Sequence, residues 1–431
     1  MPSETVGGGL PLDTGQCVHC GLCLSACPTY VTTGVEAESP RGRVFLLQKL
    51  REKASWLNQN AIKTLDDCVD CRACEAVCPS HVATGHMIEN WRQKSASSLE
   101  SSGSESFRLF RKADRYLQFF FGSIRGLAWF QRLARFSQIP IIGTWMTHMP
   151  FFPKSARKLR GGLREAVPRT LSRTHKSHAG PESSTRVMLF VGCVMDTLYA
   201  NTNHHAVDLL ELGGVDVVIP QEQRCCGALH MHGGRPEVTK NWARANIQAL
   251  EQSHAATLAV TAAGCGTMLK EYADLFDVND PWHQRAEQLA KAVVDITVLL
   301  AQLPLPAASS IHGTVSVHDP CHLVHAQGVR QEPRQILSRS GYVIQEMPES
   351  DLCCGAGGIY NLTHPEMADK LLKRKLAHIP DGIEWIAAAN PGCLLQMESG
   401  LPAKDFNPHT AHPVDLVWNA YHTENLVGLQ D

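Results

Sequence analysis

No run of apolar residues in this 431-residue chain approaches the ~20 that a helix needs to span a bilayer. The most apolar stretch, Ile139 to Phe152, is too short and is interrupted by Pro140, Gly143 and His148. The opening residues, Met1 to Gln16, have neither the basic start nor the apolar centre of a secretory leader. Excess charge of one sign is also missing, since 40 Lys and Arg stand against 42 Asp and Glu. No nucleic-acid-binding motif accompanies the chain's basic residues, so nucleic acid is not expected as a partner. A dinucleotide fingerprint is absent too. Gly355-Ala356-Gly357-Gly358 begins like one, but Tyr360 stands where G-x-G-x-x-G requires its third glycine. These absences predict a protein of the cytoplasm, long enough for about three domains.

What the chain does have is cysteine, sixteen in all, and every one of them in a pattern. Cys17-Val18-His19-Cys20-Gly21-Leu22-Cys23-Leu24-Ser25-Ala26-Cys27-Pro28 returns as Cys68-Val69-Asp70-Cys71-Arg72-Ala73-Cys74-Glu75-Ala76-Val77-Cys78-Pro79. Both read C-x2-C-x2-C-x3-C-P, the bacterial ferredoxin run. Thiolates at i, i+3 and i+6 wrap one loop around three corners of a cubane. The fourth corner is out of that loop's reach and must come from the other run. The spacing therefore predicts one [4Fe-4S] cluster on Cys17, Cys20, Cys23 and Cys78, and a second on Cys68, Cys71, Cys74 and Cys27. Zinc sites use pairs of C-x2-C rather than a triplet plus one. Disulfides need an oxidising compartment, which nothing in the sequence indicates.

Between the runs, Ser39-Pro40 reads as a helix start, and the apolar positions of Val44 to Leu50 recur at helical spacing. The two-cluster module is thus expected to carry a helical insert that shields it from water. Gln93 to Ser106 is rich in serine and reads as a linker. Phe107 to Arg160 sets eleven basic residues and many aromatics against a single acid, Asp114. Such a segment can pack on the protein's own body, dock on an acidic partner or lie in a membrane interface.

From Arg186 the pattern changes to alternating strands and helices, which predicts a mostly parallel sheet. Val187 to Val191 leads to Cys193, Val215 to Ile219 precedes Cys225-Cys226-Gly227, and Thr257 to Thr261 leads to Cys265. The series then repeats through Cys321, Cys353-Cys354-Gly355 and Cys393, every cysteine displaced by 128 residues. A constant offset implies duplication. Each cysteine falls beyond a strand end, where open α/β sheets place their ligand sites. His230, His232, His322 and His325 lie near these cysteines and read mainly as polar loop residues.

Paired ferredoxin runs followed by two C…C-C-G…C repeats resemble the iron–sulfur subunit of glycolate oxidase. Ser39-Pro40-Arg41-Gly42-Arg43, Leu362-Thr363-His364-Pro365 and Thr261-Ala262-Ala263-Gly264-Cys265-Gly266 share in the likeness. The repeats alone are also similar to those of heterodisulfide reductases, lactate-utilisation proteins and anaerobic glycerol-3-phosphate dehydrogenase. The resemblance implies a membrane-associated complex in which FAD-bearing flavoprotein partners oxidise glycolate to glyoxylate and this chain carries electrons towards a quinone. In the heterodisulfide reductases each repeat ends in C-x-x-C and holds a non-cubane cluster on five cysteines. Here Met268 and Gln396 replace that fifth cysteine. Cys193, Cys225, Cys226 and Cys265, and Cys321, Cys353, Cys354 and Cys393, can then hold an ordinary cluster or another metal, or leave one site empty. The expected fold is multidomain, α+β and α/β. A helical ferredoxin-like module occupies 1–92, a linker with the basic aromatic segment 93–185, and the cysteine-rich α/β repeats 186–304 and 305–431.

Overall fold

The computed structural model describes residues 14–53, 58–95, 185–308, 310–401 and 408–423. The basic aromatic segment Phe107 to Arg160 lies outside the described residues, as does the serine-rich stretch after Ser95.

Ser39 and Pro40 start the helix Pro40–Glu52. The Ser39 side chain accepts from the Gly42 N–H, and Pro40 occupies the first turn, where its missing N–H costs nothing. Gly42 is required by contact, because a Cβ there would meet the Glu36 carbonyl oxygen at 2.2 Å. Pro40, Arg43, Val44 and Leu47 share the buried face, as the helical period dictates. Val44 and Leu47 pack with Ile62, Leu65, Val82, Met87, Ile88 and Trp91, and Cys17, Cys68 and Cys78 lie against this cluster. The insert is therefore an apolar wall shared by both cysteine runs.

Arg186–Phe190 (β1), Asp216–Val218 (β2), Thr257–Val260 (β3) and Val293–Asp295 (β4) form a parallel sheet in the order β2-β1-β3-β4. Gly313–Val317 (β5), Tyr342–Ile344 (β6), Trp385–Ala387 (β7) and His409–Ala411 (β8) repeat it as β6-β5-β7-β8. Parallel neighbours need crossovers, supplied by helices such as Ala200–Leu212 and Pro236–Ser253. The order reverses between β1 and β3, and between β5 and β7. Those switch points are where such sheets open a crevice for ligands.

The two sheets share one core. Val187 and Leu189 of β1, Val217 and Ala259 pack in the same cluster as Val315 and Val317 of β5, Ala387 and Val414. On the opposite face, Met188 and Phe190 enter a second apolar cluster. The second repeat puts Ser316 and His318 at those two positions, and both are fully buried.

Candidate functional site

The two ferredoxin runs adopt the same turn. His19 and Gly21 in the first, and Asp70 and Arg72 in the second, have positive φ of 53°, 85°, 58° and 61°. Alternating right- and left-handed backbone turns successive amides towards one point and makes an anion-binding concavity. Three of the four are not glycine, a strain of about 1–3 kcal/mol each that persists only where the surroundings enforce it. One cavity is lined by Cys17, Cys20, Cys23 and Cys78, together with Cys74. A second is lined by Cys27, Cys68, Cys71 and Cys74. The last cysteine of each run thus stands at the other run's cavity, and Cys74 borders both.

The donor set suits iron–sulfur clusters. All sixteen cysteines are free thiols. Burial pushes Cys71 and Cys74 well above the ordinary thiol value, so neither ionises without a cation to bind. Arg43, 2% exposed, lines the second cavity. Its Nε donates to the Thr64 carbonyl at 2.9 Å and its Nη1 to Thr29 Oγ1 at 3.1 Å, with Cys27 Sγ 3.9 Å away. Its Nη2 is buried without a partner. Burial opposes the guanidinium charge, but Cys68 and Cys27 lead the neighbours that hold its pKa above normal. A buried cation with a spare N–H beside thiols fits an anionic cluster.

The repeat cysteines gather at the predicted sheet edges. Cys193 Sγ lies 3.3 Å from Cys225 Sγ, and Cys226 Sγ 3.4 Å from Cys265 Sγ. Hydrogen bonds from Cys193 and Cys226 hold Cys225 well below the usual thiol range. In the second repeat Cys353 and Cys321 belong to one apolar cluster, and Cys354 and Cys393 to another. The glycine of each C-C-G turn is demanded by shape. Gly227 has φ +88°, and a Cβ on it would lie 2.5 Å from Thr239 Cγ2. The two repeats clasp at their last cysteines: Asn390 donates to Cys393 Sγ at 3.4 Å and accepts from the Gly264 N–H, next to Cys265, at 3.2 Å.

The ferredoxin module docks on this edge. Val69, Cys71 and Ala73 share an apolar cluster with Cys353, Tyr360, Ala368 and Leu371, and Cys321 packs against it. Tyr360 OH donates to the Asp67 carbonyl at 2.9 Å. Beside this contact lies a buried charge network. Arg72 pairs with Glu89 at 3.1 Å, Asp70 at 3.3 Å and Glu271 at 3.7 Å, and also contacts His86. His232 pairs with Glu89 at 2.7 Å and Asp70 at 3.2 Å. Burial alone would lower the His232 pKa, yet these two carboxylates raise it to about 9.

The nearby histidines are thus more than polar loop residues. His232 is an ion-pair partner, and His230 is 2% exposed with its ring edge-on to Trp242. His322 Nδ1 is 3.4 Å from Cys321 Sγ, and burial holds its pKa down to about 3. His325 Nε2 lies 3.2 Å from the Asp351 carbonyl. Sequence reasoning missed Arg43, Arg72 and Glu89 as parts of the site. Only Arg43 and Arg72 carried any signal, through their place in or beside the cysteine runs.

Residues 13–82 match the 4Fe-4S dicluster domain family, and residues 187–270 and 315–398 each match the cysteine-rich domain family, CCG. The chain is 33% identical over 429 residues, 95% of each chain, to a Bacillus subtilis protein named "Probable glycolate oxidase iron-sulfur subunit". It is 33% identical over 393 residues, 89% of each chain, to the "Glycolate oxidase iron-sulfur subunit" of Escherichia coli. Lactate utilization protein A of Oceanobacillus iheyensis is 31% identical over 236 residues, 54% of this chain and 96% of that one. With its cysteine cavities, its duplicated sheets and a likeness running nearly end to end, this chain belongs to the glycolate oxidase iron–sulfur subunit family.

Proposed function

We propose that this chain is the electron-transfer subunit of a glycolate-oxidising complex. It takes electrons from FAD-bearing flavoprotein partners that convert glycolate to glyoxylate and passes them towards a quinone. Cys17, Cys20, Cys23 and Cys78 hold one [4Fe-4S] cluster, and Cys68, Cys71, Cys74 and Cys27 hold the other. The observation that carries this reading is the exchange of the fourth cysteine, Cys78 at one cavity and Cys27 at the other. Bound clusters supply one-electron transfer, which a flavin's two-electron chemistry needs if it is to feed a separate acceptor. The chain's own residues do the rest. Val44 and Val82 keep water from the first site, Arg43 offsets negative charge at the second, and the network around Arg72 fixes the second site against the repeats. The contact of Cys71 with Cys321 and Cys353 makes the second repeat the natural continuation of the route.

Among the described residues no helix is long and apolar enough to cross a membrane. We place the chain on the cytoplasmic side, peripheral to the membrane where the quinone lies. Lactate is the other 2-hydroxy acid to test, since a relative over half the chain is named for lactate utilisation.

Anaerobic purification tests the assignment. About eight iron atoms per chain mean two cubanes, and more place metal in the repeats. Cys78→Ser is expected to abolish one cluster's EPR signal and spare the other. Glycolate is expected to bleach the clusters only when the flavoproteins are present. An iron-free chain, or full turnover of the assembled complex after Cys17→Ala, would sink the proposal.

A further inference from the structure

The second repeat contains a buried imidazole that none of the interactions described so far uses. His318 is the residue after the last position of β5, at the switch point beside β7, three residues before Cys321. It is 0% exposed, and both ring nitrogens are buried with no hydrogen-bond partner. Leaving a buried polar atom unsatisfied costs about 1–3 kcal/mol, and here two are left on one ring. One ring nitrogen and the sulfurs of Cys354 and Cys393 all lie within 4.8 Å of one another. The Ser350 backbone runs alongside the ring without hydrogen-bonding geometry. Metal-bound histidines usually turn their free N–H to such a group.

The first repeat provides an internal control. The residue 128 positions earlier is Phe190, buried in an apolar cluster and unable to ligate anything. Lys375 shows the same asymmetry. Its Nζ is buried and donates to the carbonyls of Glu349 and Ser350. Ile247 is its counterpart in the first repeat. At these two positions an imidazole and an amine stand in the second copy alone. Both repeats lack the fifth cysteine, and at the strand-end position only the second offers a nitrogen donor close to its cysteines.

We propose that His318 is a ligand of an iron–sulfur cluster in the second repeat, completing a thiolate set that includes Cys354 and Cys393, and that the equivalent position of the first repeat, Phe190, supplies no ligand. A neutral imidazole in place of a thiolate removes negative charge from the cluster and raises its potential, as in clusters where histidine replaces cysteine. The second repeat is then the more oxidising of the two, which suits a place late on the electron route. The inference rests on the reading that this chain binds iron–sulfur clusters, but not on the identity of its partners or substrate.

The test uses the full chain, labelled with ¹⁵N-histidine in an auxotrophic host, purified anaerobically and reduced with dithionite. Pulsed EPR is expected to show one cluster signal coupled to a nitrogen whose frequency changes with the label. His318→Ala is expected to lose that coupling and part of the iron. His318→Cys, which offers a thiolate in the same pocket, is expected to lose the coupling, keep the iron and move that signal to lower potential. In both variants the signals of the two ferredoxin-run clusters should stay unchanged. The proposal is overturned if wild type shows no histidine nitrogen coupling, if the coupling survives in both variants, if iron never exceeds two cubanes, or if zinc occupies the site. Failure of the electron-transfer reading looks different: every signal is present after dithionite, but no 2-hydroxy acid with its flavoprotein reduces them.

Discussion

Replacing Arg43 with methionine separates the charge at the second cluster from everything else the site does. Methionine keeps an unbranched stem in the same place while removing the buried cation and its donors. Coulomb's law across the 3.9 Å from Nη1 to Cys27 Sγ gives about 4 kcal/mol for a full charge at an effective dielectric constant of about 20. An added electron is spread over four thiolates and the cluster they hold. About a quarter to a half of that energy, roughly 1–2 kcal/mol, therefore reaches the one-electron couple. Losing the cation disfavours the reduced, more negative state, so the potential falls by about 40–90 mV. Cys68 and Cys27, the thiols that pull hardest on Arg43, both belong to the second cavity. Only one of the two ferredoxin-type signals should move. Arg43→Lys keeps the charge and should shift it by less than half as much. EPR-monitored redox titration of the anaerobic protein reads both signals at once. A folded, iron-replete Arg43→Met protein with neither signal displaced, or with both displaced equally, refutes the reasoning. The same variant leaves the Thr64 carbonyl without its donor and should lose about 1–3 kcal/mol of stability in a denaturant titration.

Gly227→Ala drives a Cβ into Thr239 and forces alanine into left-handed backbone, at a cost of about 2–4 kcal/mol. Thermal melts should show the loss, Thr239→Ala should recover part of it, and an unchanged Tm would contradict the contact. His232 should make stability fall as pH rises. Its pKa, ordinarily about 6.5, is lifted to about 9 in the folded state, so its contribution is complete below pH about 6.5 and gone above about 9. Denaturation of wild type against His232→Gln should differ by about 3 kcal/mol at pH 6 and converge near pH 9.5. A constant difference across that range would show that the Asp70–Glu89–His232 contact is not ionic. Tyr360→Phe deletes the hydrogen bond to the Asp67 carbonyl and should cost about 1 kcal/mol. Isothermal denaturation checks it, and no loss would mean that the docking of the module on the repeat does not depend on this bond.

Much of the architecture was legible because it is written in short-range terms. Ser39-Pro40 and the apolar spacing behind it predict the helix that forms at Pro40–Glu52. The runs at Val187 and Thr257 predict β1 and β3, which form there. The fourth strand of each sheet was not legible. Val293–Asp295 runs straight from one helix into the next and His409–Ala411 carries little apolar signal, and both become strands by pairing with a neighbour. The shared core was also hidden, since alternation in β1 and β5 marks two faces without saying that one of them meets the other sheet.

For the site, the division follows the range of the interactions. Thiol spacing within a run is a local property, set by the reach of a loop of a few residues around a metal, and so the sequence alone identifies the triplets and the need for a fourth ligand from elsewhere. Charge compensation and mixed ligation are not local. Arg43 meets Cys27 across 16 residues, and Arg72 meets Glu271 in another domain-sized segment. His318 approaches Cys354 and Cys393 only because β5 and β7 lie side by side. In the linear chain His318 is one histidine among 21, and a buried donor set of this kind comes into being when the sheet edge closes and excludes the water that would otherwise satisfy each group.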